Sequence, residues 1–127
     1  MTEFVLDSSA VLARLFREPG AETVEAALER SLLSAVNFAE VISKLIDKGI
    51  DPDDARDTAF QLRCEIVPAD QERAAAAGLL HARTRRKGLS IGDRFCLALA
   101  NETGLPTLTA DRVWKDLDLG IGVNVIR

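Results

Sequence analysis

Two apolar rhythms alternate along this chain: short β-prone runs, and longer stripes spaced every three or four residues. Phe4-Val5-Leu6 is the first run and ends at Asp7; Val11, Leu12, Leu15 and Phe16 then predict a helix over Ser8–Phe16. Pro19-Gly20 breaks it, and a second helix over Ala21–Arg30 carries Val24, Ala27 and Leu28 on one side. Leu32-Leu33-Ser34 reads as a brief second strand, followed by a helix over Ala35–Lys48 with Phe38, Val41, Ile42, Leu45 and Ile46 on one stripe, closed at Gly49. Asp51-Pro52-Asp53-Asp54 combines an acidic cap with proline in the first turn and opens a helix through Ala55–Arg63. Cys64–Pro68 is the third strand. Asp70 then starts an alanine-dense helix over Gln71–Arg86 that ends at Lys87-Gly88. A helix over Ile91–Thr103, stopped by Gly104-Leu105-Pro106, leads to a fourth strand at Thr107-Leu108-Thr109 and on to Asp111. A short helix around Val113-Trp114 and a fifth strand over Gly122–Ile126 complete the chain.

Strands separated by helices let each strand return in the same direction, which predicts an α/β domain with a mainly parallel five-stranded sheet and helices on both faces. At 127 residues, with no repeat or linker, the whole chain 1–127 is expected to be one domain. Composition narrows the class. Hydrophobic residues make up 47% and charged residues 28%, and no apolar run approaches the roughly 20 residues that span a bilayer. The N-terminal stretch is too short and too acidic for a secretory signal. Cys64 and Cys96 sit in apolar neighbourhoods and read as reduced core cysteines of a cytoplasmic protein. His81, the sole histidine, has no second His or Cys at ligand spacing.

Four acids occupy related places in this pattern. Asp7 follows the first strand, Glu40 lies early in the helix after the second, Asp93 opens the helix before the fourth, and Asp111 follows the fourth. In open parallel sheets ligands bind beyond the carboxyl ends of the strands, where helix starts also gather, so these acids can converge on one rim. A capping role competes for each. Ser90 followed three residues later by Asp93 has the form of a capping box, and Asp7 and Asp111 can close turns. Glu40 fits that account least, because it lies inside its helix with Asn37 one turn earlier. Grouped carboxylates repel by roughly 4 kcal/mol at 4 Å and an effective dielectric near 20, and so call for a cation or a proton. An all-oxygen donor set favours Mg2+ or Mn2+ over Zn2+. Ser8 or Ser9 is placed to hydrogen-bond a ligand carboxylate, or simply to begin the helix.

The ordered set Val5-Leu6-Asp7-Ser8-Ser9-Ala10, Asn37-Phe38-Ala39-Glu40-Val41, Gly92-Asp93-Arg94 with Cys96–Ala100, and Thr109-Ala110-Asp111-Arg112-Val113-Trp114 resembles a PIN-domain ribonuclease, more narrowly the VapC-type toxins of toxin–antitoxin pairs. That resemblance implies a three-layer α/β/α sandwich and metal-dependent endoribonuclease activity. It also implies an acidic quartet of Asp7, Glu40, Asp93 and Asp111, an antitoxin partner and a homodimer. Asp7, Asp93 and Asp111 would be metal ligands and Glu40 would serve the attacking water. Three rivals remain. A receiver-like phosphoacceptor needs an acidic pair after the first strand, and an aspartyl-nucleophile phosphatase needs an Asp where Ser9 stands. A non-catalytic interaction module would keep the acids as caps. Net charge is −4, so any footprint for nucleic acid must be local; Arg83-Thr84-Arg85-Arg86-Lys87, Arg94 and Arg112 are the candidates. With no Tyr and a single Trp there is little for base stacking, which favours recognition of a folded RNA by shape.

Overall fold

A computed structural model describes all residues 1–127. Its elements follow the predicted alternation. β1 (Phe4–Leu6), α1 (Ser8–Leu15), α2 (Ala21–Ala27), β2 (Ser31–Ser34), α3 (Ala35–Asp47), α4 (Pro52–Phe60) and β3 (Glu65–Val67) form the first half; α5 (Gln71–Leu79), α6 (His81–Thr84), α7 (Ile91–Thr103), β4 (Thr107–Thr109) and β5 (Val123–Val125) form the second. The five strands make one sheet in the order β3-β2-β1-β4-β5, and every pairing is parallel.

Alternation along the strands divides the core. Leu6, Leu33 and Leu108 point to one face, where they pack with Ala10, Val11, Val24, Val41, Leu45 and Ala55 from α1 to α4. Val5 and Leu32 point to the other and meet Cys96, Leu97, Leu99 and Ala100 of α7, together with the fully buried Trp114. Phe95 and Ala98 pack on Ala77, which joins α5 to α7. The result is the expected three-layer α/β/α arrangement. On α3, Val41 and Leu45 are buried while Ile46, at the margin of the expected stripe, is 40% exposed. No helix is long and apolar enough to cross a membrane.

Two helices differ from their expected extent. The second stops at Ala27 and tightens into a 3-10 turn over Leu28–Arg30 before β2. The alanine-rich helix breaks at Leu80. There the Leu80 carbonyl is taken by the Arg83 N–H (3.0 Å) and by the buried Thr84 hydroxyl (2.9 Å), so α6 and a 3-10 turn over Arg85–Lys87 replace two regular turns. Gly78, a poor helix former, lies just before the break. Both cysteines are free, as expected; Cys96 is buried but Cys64 is only half-buried.

The strand order fixes where a site can lie. From β1 the chain moves outward to β2 and β3, then returns to the other side of β1 as β4. The carboxyl ends of β1 and β4 therefore border the crevice at which helices leave in opposite directions, the usual ligand position in such sheets.

Candidate functional site

Asp7 stands directly at that crevice. It is the N-cap of α1, accepting the Ala10 N–H at 2.9 Å, and is only 3% exposed. Two hydroxyls hold its carboxylate. Ser9 Oγ donates to it, 2.7 Å from Oδ1 and 2.9 Å from Oδ2, and Thr109 Oγ1 donates to Oδ2 at 2.6 Å. The same hydroxyls accept from the next turn: Ser9 takes the Ala110 N–H at 2.9 Å and Thr109 takes the Asp111 N–H at 3.0 Å. Through them the end of β1 is tied to the segment that carries Asp111. The register Leu6↔Leu108 makes this possible by bringing the two strand ends level.

Asp111 caps the 3-10 turn Arg112–Asp116, its Oδ1 accepting the Val113 N–H at 3.0 Å. Asp93 is in a full capping box: its Oδ2 accepts the Ser90 N–H at 3.0 Å while Ser90 Oγ accepts the Asp93 N–H at 3.1 Å. Glu40 caps nothing. Asn37, buried at 1% exposure, donates from Nδ2 to Glu40 Oε1 at 2.8 Å and to the Gly92 carbonyl at 3.0 Å, which pins α3 against the start of α7. Glu40 lies so close over Gly92 that a Cβ there would overlap its carboxylate, so any other residue beside Asp93 displaces the Glu40 side chain. Asn37 Oδ1 is buried with no hydrogen-bond partner.

The electrostatics tie the four acids together. Burial pushes the Asp7 carboxyl up to about 6 against the opposing hydrogen bonds from Thr109, Ala10 and Ser9, and the Asp93 charge adds to the rise. Asp93 is raised mainly by burial, with repulsion from Glu40 and Asp111 working against its bonds to Ser90. The buried Cys96 thiol is pushed well up by burial and then by the charges of Asp7, Asp93 and Glu40. None of the four acids takes part in an ion pair, although seven ion pairs lie elsewhere on the molecule. Glu40 Oε2, Asp93 Oδ1 and Asp111 Oδ2 accept no hydrogen bond from the protein.

Each of the acids singled out in the sequence therefore reaches this rim. Ser9, one of the two serines singled out, holds Asp7. Thr109 and Gly92 stood in the sequence motifs, but their roles escaped sequence reasoning. Thr109 lies two residues before Asp111 in a Thr-Leu-Thr run whose buried hydroxyls were the available signal, since a threonine buried in a strand needs a partner. A cleft of about 500 Å3 lies elsewhere: it is lined by Arg14, Glu25, Glu29, Arg30, Arg63 and neighbours, and none of the four acids borders it.

The model of the PIN domain matches residues 4–119 of this chain. The chain belongs to the PIN-domain family. Among curated PIN proteins, Ribonuclease VapC42 of Mycobacterium tuberculosis is 33% identical over 124 residues, covering 82% of this chain and 87% of that protein. Two solved structures share the fold. A DNA-bound VapBC from Salmonella typhimurium superposes with a TM-score of 0.75 at 22% identity over the full length of both chains. A toxin–antitoxin complex from Klebsiella pneumoniae superposes at 0.74 with 18% identity over 98% of each. The acidic rim lies at the β1/β4 switch point of this PIN fold.

Proposed function

We propose that this PIN protein, with 1–127 acting as a single domain, is a metal-dependent endoribonuclease. In that reading it is the cytoplasmic toxin of a toxin–antitoxin pair, and Asp7, Glu40, Asp93 and Asp111 are its acidic quartet. Family membership supports the reaction class, a hydrolytic nuclease. The observation that carries the assignment of the site is the meeting of four carboxylates, none ion-paired, at the sheet's switch point. Capping alone explains three of them singly, but it accounts neither for Glu40 nor for the repulsion by which Glu40 and Asp111 raise the proton affinity of Asp93.

The residues present fit a hard divalent cation. A carboxylate kept charged against burial at neutral pH, as Asp7 is, is stabilised by an adjacent cation. The donors are all oxygens. No three acidic, His or Cys side chains are gathered closely enough to enclose an ion by themselves, which suits Mg2+ or Mn2+ retaining several waters and held through one or two carboxylates. Asp7, Asp93 and Asp111 would hold it, directly or through water. A cation bound there lowers the pKa of its water and offsets negative charge on the scissile phosphate. Glu40, oriented through Oε1 by Asn37, presents Oε2 to orient the attacking water and accept its proton. Ser9 and Thr109 keep the Asp7 carboxylate fixed while the substrate binds. The occurrence of similar chains in VapBC and toxin–antitoxin complexes supports an antitoxin protein as partner; a folded RNA as substrate and a homodimer as the assembly complete the reading.

Cleavage of structured RNA by the purified protein tests this. Cutting in Mg2+ or Mn2+ that stops on chelation is the expected result. Cutting undiminished by chelator overturns the metal assignment, and absence of cutting with either metal favours the non-catalytic module.

A further inference from the structure

A rim of carboxylates repels a phosphodiester backbone, so an RNA can approach it only where cations flank the acids. The molecule's cations are sorted in a way that supplies them. Of 16 Lys and Arg, six are committed to ion pairs: Arg14, Arg30, Arg56, Arg63, Arg73 and Arg127. All of these lie before residue 74 or at the C-terminus. Between Arg83 and Lys115, the span that contains Asp93 and Asp111, no cation is ion-paired at all.

Within that span three cations have structural work. Arg83 donates to the Asp118 carbonyl at 3.0 Å, Arg94 to the Ala77 carbonyl at 3.2 Å, and Arg112 to the Arg127 carbonyl at 3.2 Å. Arg85, Arg86, Lys87 and Lys115 are exposed and bond to nothing. Arg85–Lys87 form one 3-10 turn whose chain runs through Gly88 and Leu89 straight into the cap of α7, so Lys87 lies within about 11 Å of Ser90 along the backbone. Lys115 lies in the turn that Asp111 caps. The Arg83–Asp118 bond clips together the two segments that carry the free cations.

Resting on the reading of the acidic rim as a ribonuclease site, we propose that Arg85, Arg86 and Lys87, assisted by Lys115, form the surface that binds the substrate RNA's phosphate backbone beside the scissile bond. Arg83, Arg94 and Arg112 hold the fold, although Arg94 and Arg112 are the immediate sequence neighbours of Asp93 and Asp111. The break of the alanine-rich helix at Leu80 then has a use, because it turns the three consecutive cations out of a helix and toward the start of α7.

The test uses a fluorescein-labelled RNA stem-loop and the full-length protein. Binding is followed by anisotropy in chelator at several salt concentrations, and cleavage kinetics are followed in Mn2+. The triple variant Arg85→Gln/Arg86→Gln/Lys87→Gln is expected to bind about tenfold or more weakly, with the log–log salt slope smaller by about 2 to 3, since each lost phosphate contact removes roughly 0.7 to 0.9. Its KM rises while kcat and melting temperature stay at the wild-type values. The charge-conserving variant Arg85→Lys/Arg86→Lys/Lys87→Arg keeps wild-type binding. A control pair, Arg17→Gln/Lys48→Gln, removes exposed cations at the C-terminal ends of α1 and α3, far from the acids, and leaves binding unchanged. Equal binding and equal salt slope in the triple variant and the wild type overturn this proposal. If the wild-type protein binds through these residues but cuts nothing in Mn2+, the surface stands and the nuclease reading falls.

Discussion

Asp7→Asn isolates the cost of keeping the central carboxylate charged. In the folded protein burial raises its pKa from 3.8 to about 6. Between those values the folded state binds more protons than the unfolded chain. The stability that the protonated carboxyl contributes is complete below pH 3.8 and is lost as pH rises through 6. A rise of about two units corresponds to about 3 kcal/mol at 1.36 kcal/mol per unit, or roughly 10 °C in melting temperature for a domain of this size. Asparagine has nearly the same shape and can still accept from Ala10, while the Ser9 and Thr109 hydroxyls rotate to meet its amide. Any cost of that rotation is independent of pH. Urea unfolding of both proteins in chelator from pH 4 to pH 7.5 then gives a difference curve in which other titrating groups, Asp93 included, largely cancel. The variant should gain about 2.4 kcal/mol on wild type between pH 4 and pH 7, the remainder of the roughly 3 kcal/mol being lost already below pH 4. A difference that stays flat over that range, or that moves in wild type's favour, refutes the claim that Asp7 is held ionised against its surroundings.

Other consequences follow from the same geometry. Millimolar Mg2+ or Mn2+ at pH 7 should raise the wild-type melting temperature with concentration, reaching about 2.7 kcal/mol of stabilisation at a hundred times Kd, and should do so far less for Asp7→Asn; an unchanged melting curve argues against a cation at the rim. Gly92→Ala drives a methyl into the Glu40 carboxylate and displaces it, so cleavage should fall tenfold or more, while stability stays within about 1 kcal/mol because alanine's better helix propensity offsets the shift of the Glu40 side chain, read by kinetics and urea unfolding together. Thr109→Val removes the donor to Asp7 and the acceptor for the Asp111 N–H. It should cost about 1 to 3 kcal/mol at pH 7, and Thr109→Ser should recover most of it.

The acids were legible because strand ends and helix starts have a local grammar. A carboxylate after a β-prone run, or three residues beyond a serine at a helix start, is visible from its neighbours alone. The parallel sheet followed from the same alternation. What ties the rim together was not local. Thr109 reaches Asp7 across 102 positions only because Leu6 and Leu108 stand in register, and Gly92 matters only because α3 and α7 cross at Glu40. The break at Leu80 was hidden for a related reason: the alanines around it favour helix, while the burial of Thr84 that redirects the Leu80 carbonyl is a tertiary fact. Asp93 shows both levels at once. Its cap was readable in the sequence, and the structure keeps that cap on Oδ2 while Oδ1 accepts no hydrogen bond and the carboxylate is repelled by Glu40 and Asp111.

Asp93→Asn, assayed for RNA cleavage in Mn2+ beside its unfolding curve, separates the cap from the catalytic role of this carboxylate. Asparagine preserves the bond to the Ser90 N–H, so folding should remain within about 1 kcal/mol of wild type, the scale of a helix cap. Cleavage should fall at least a hundredfold. A variant that folds normally and still cuts RNA at the wild-type rate would contradict the assignment of this acidic rim as the nuclease site.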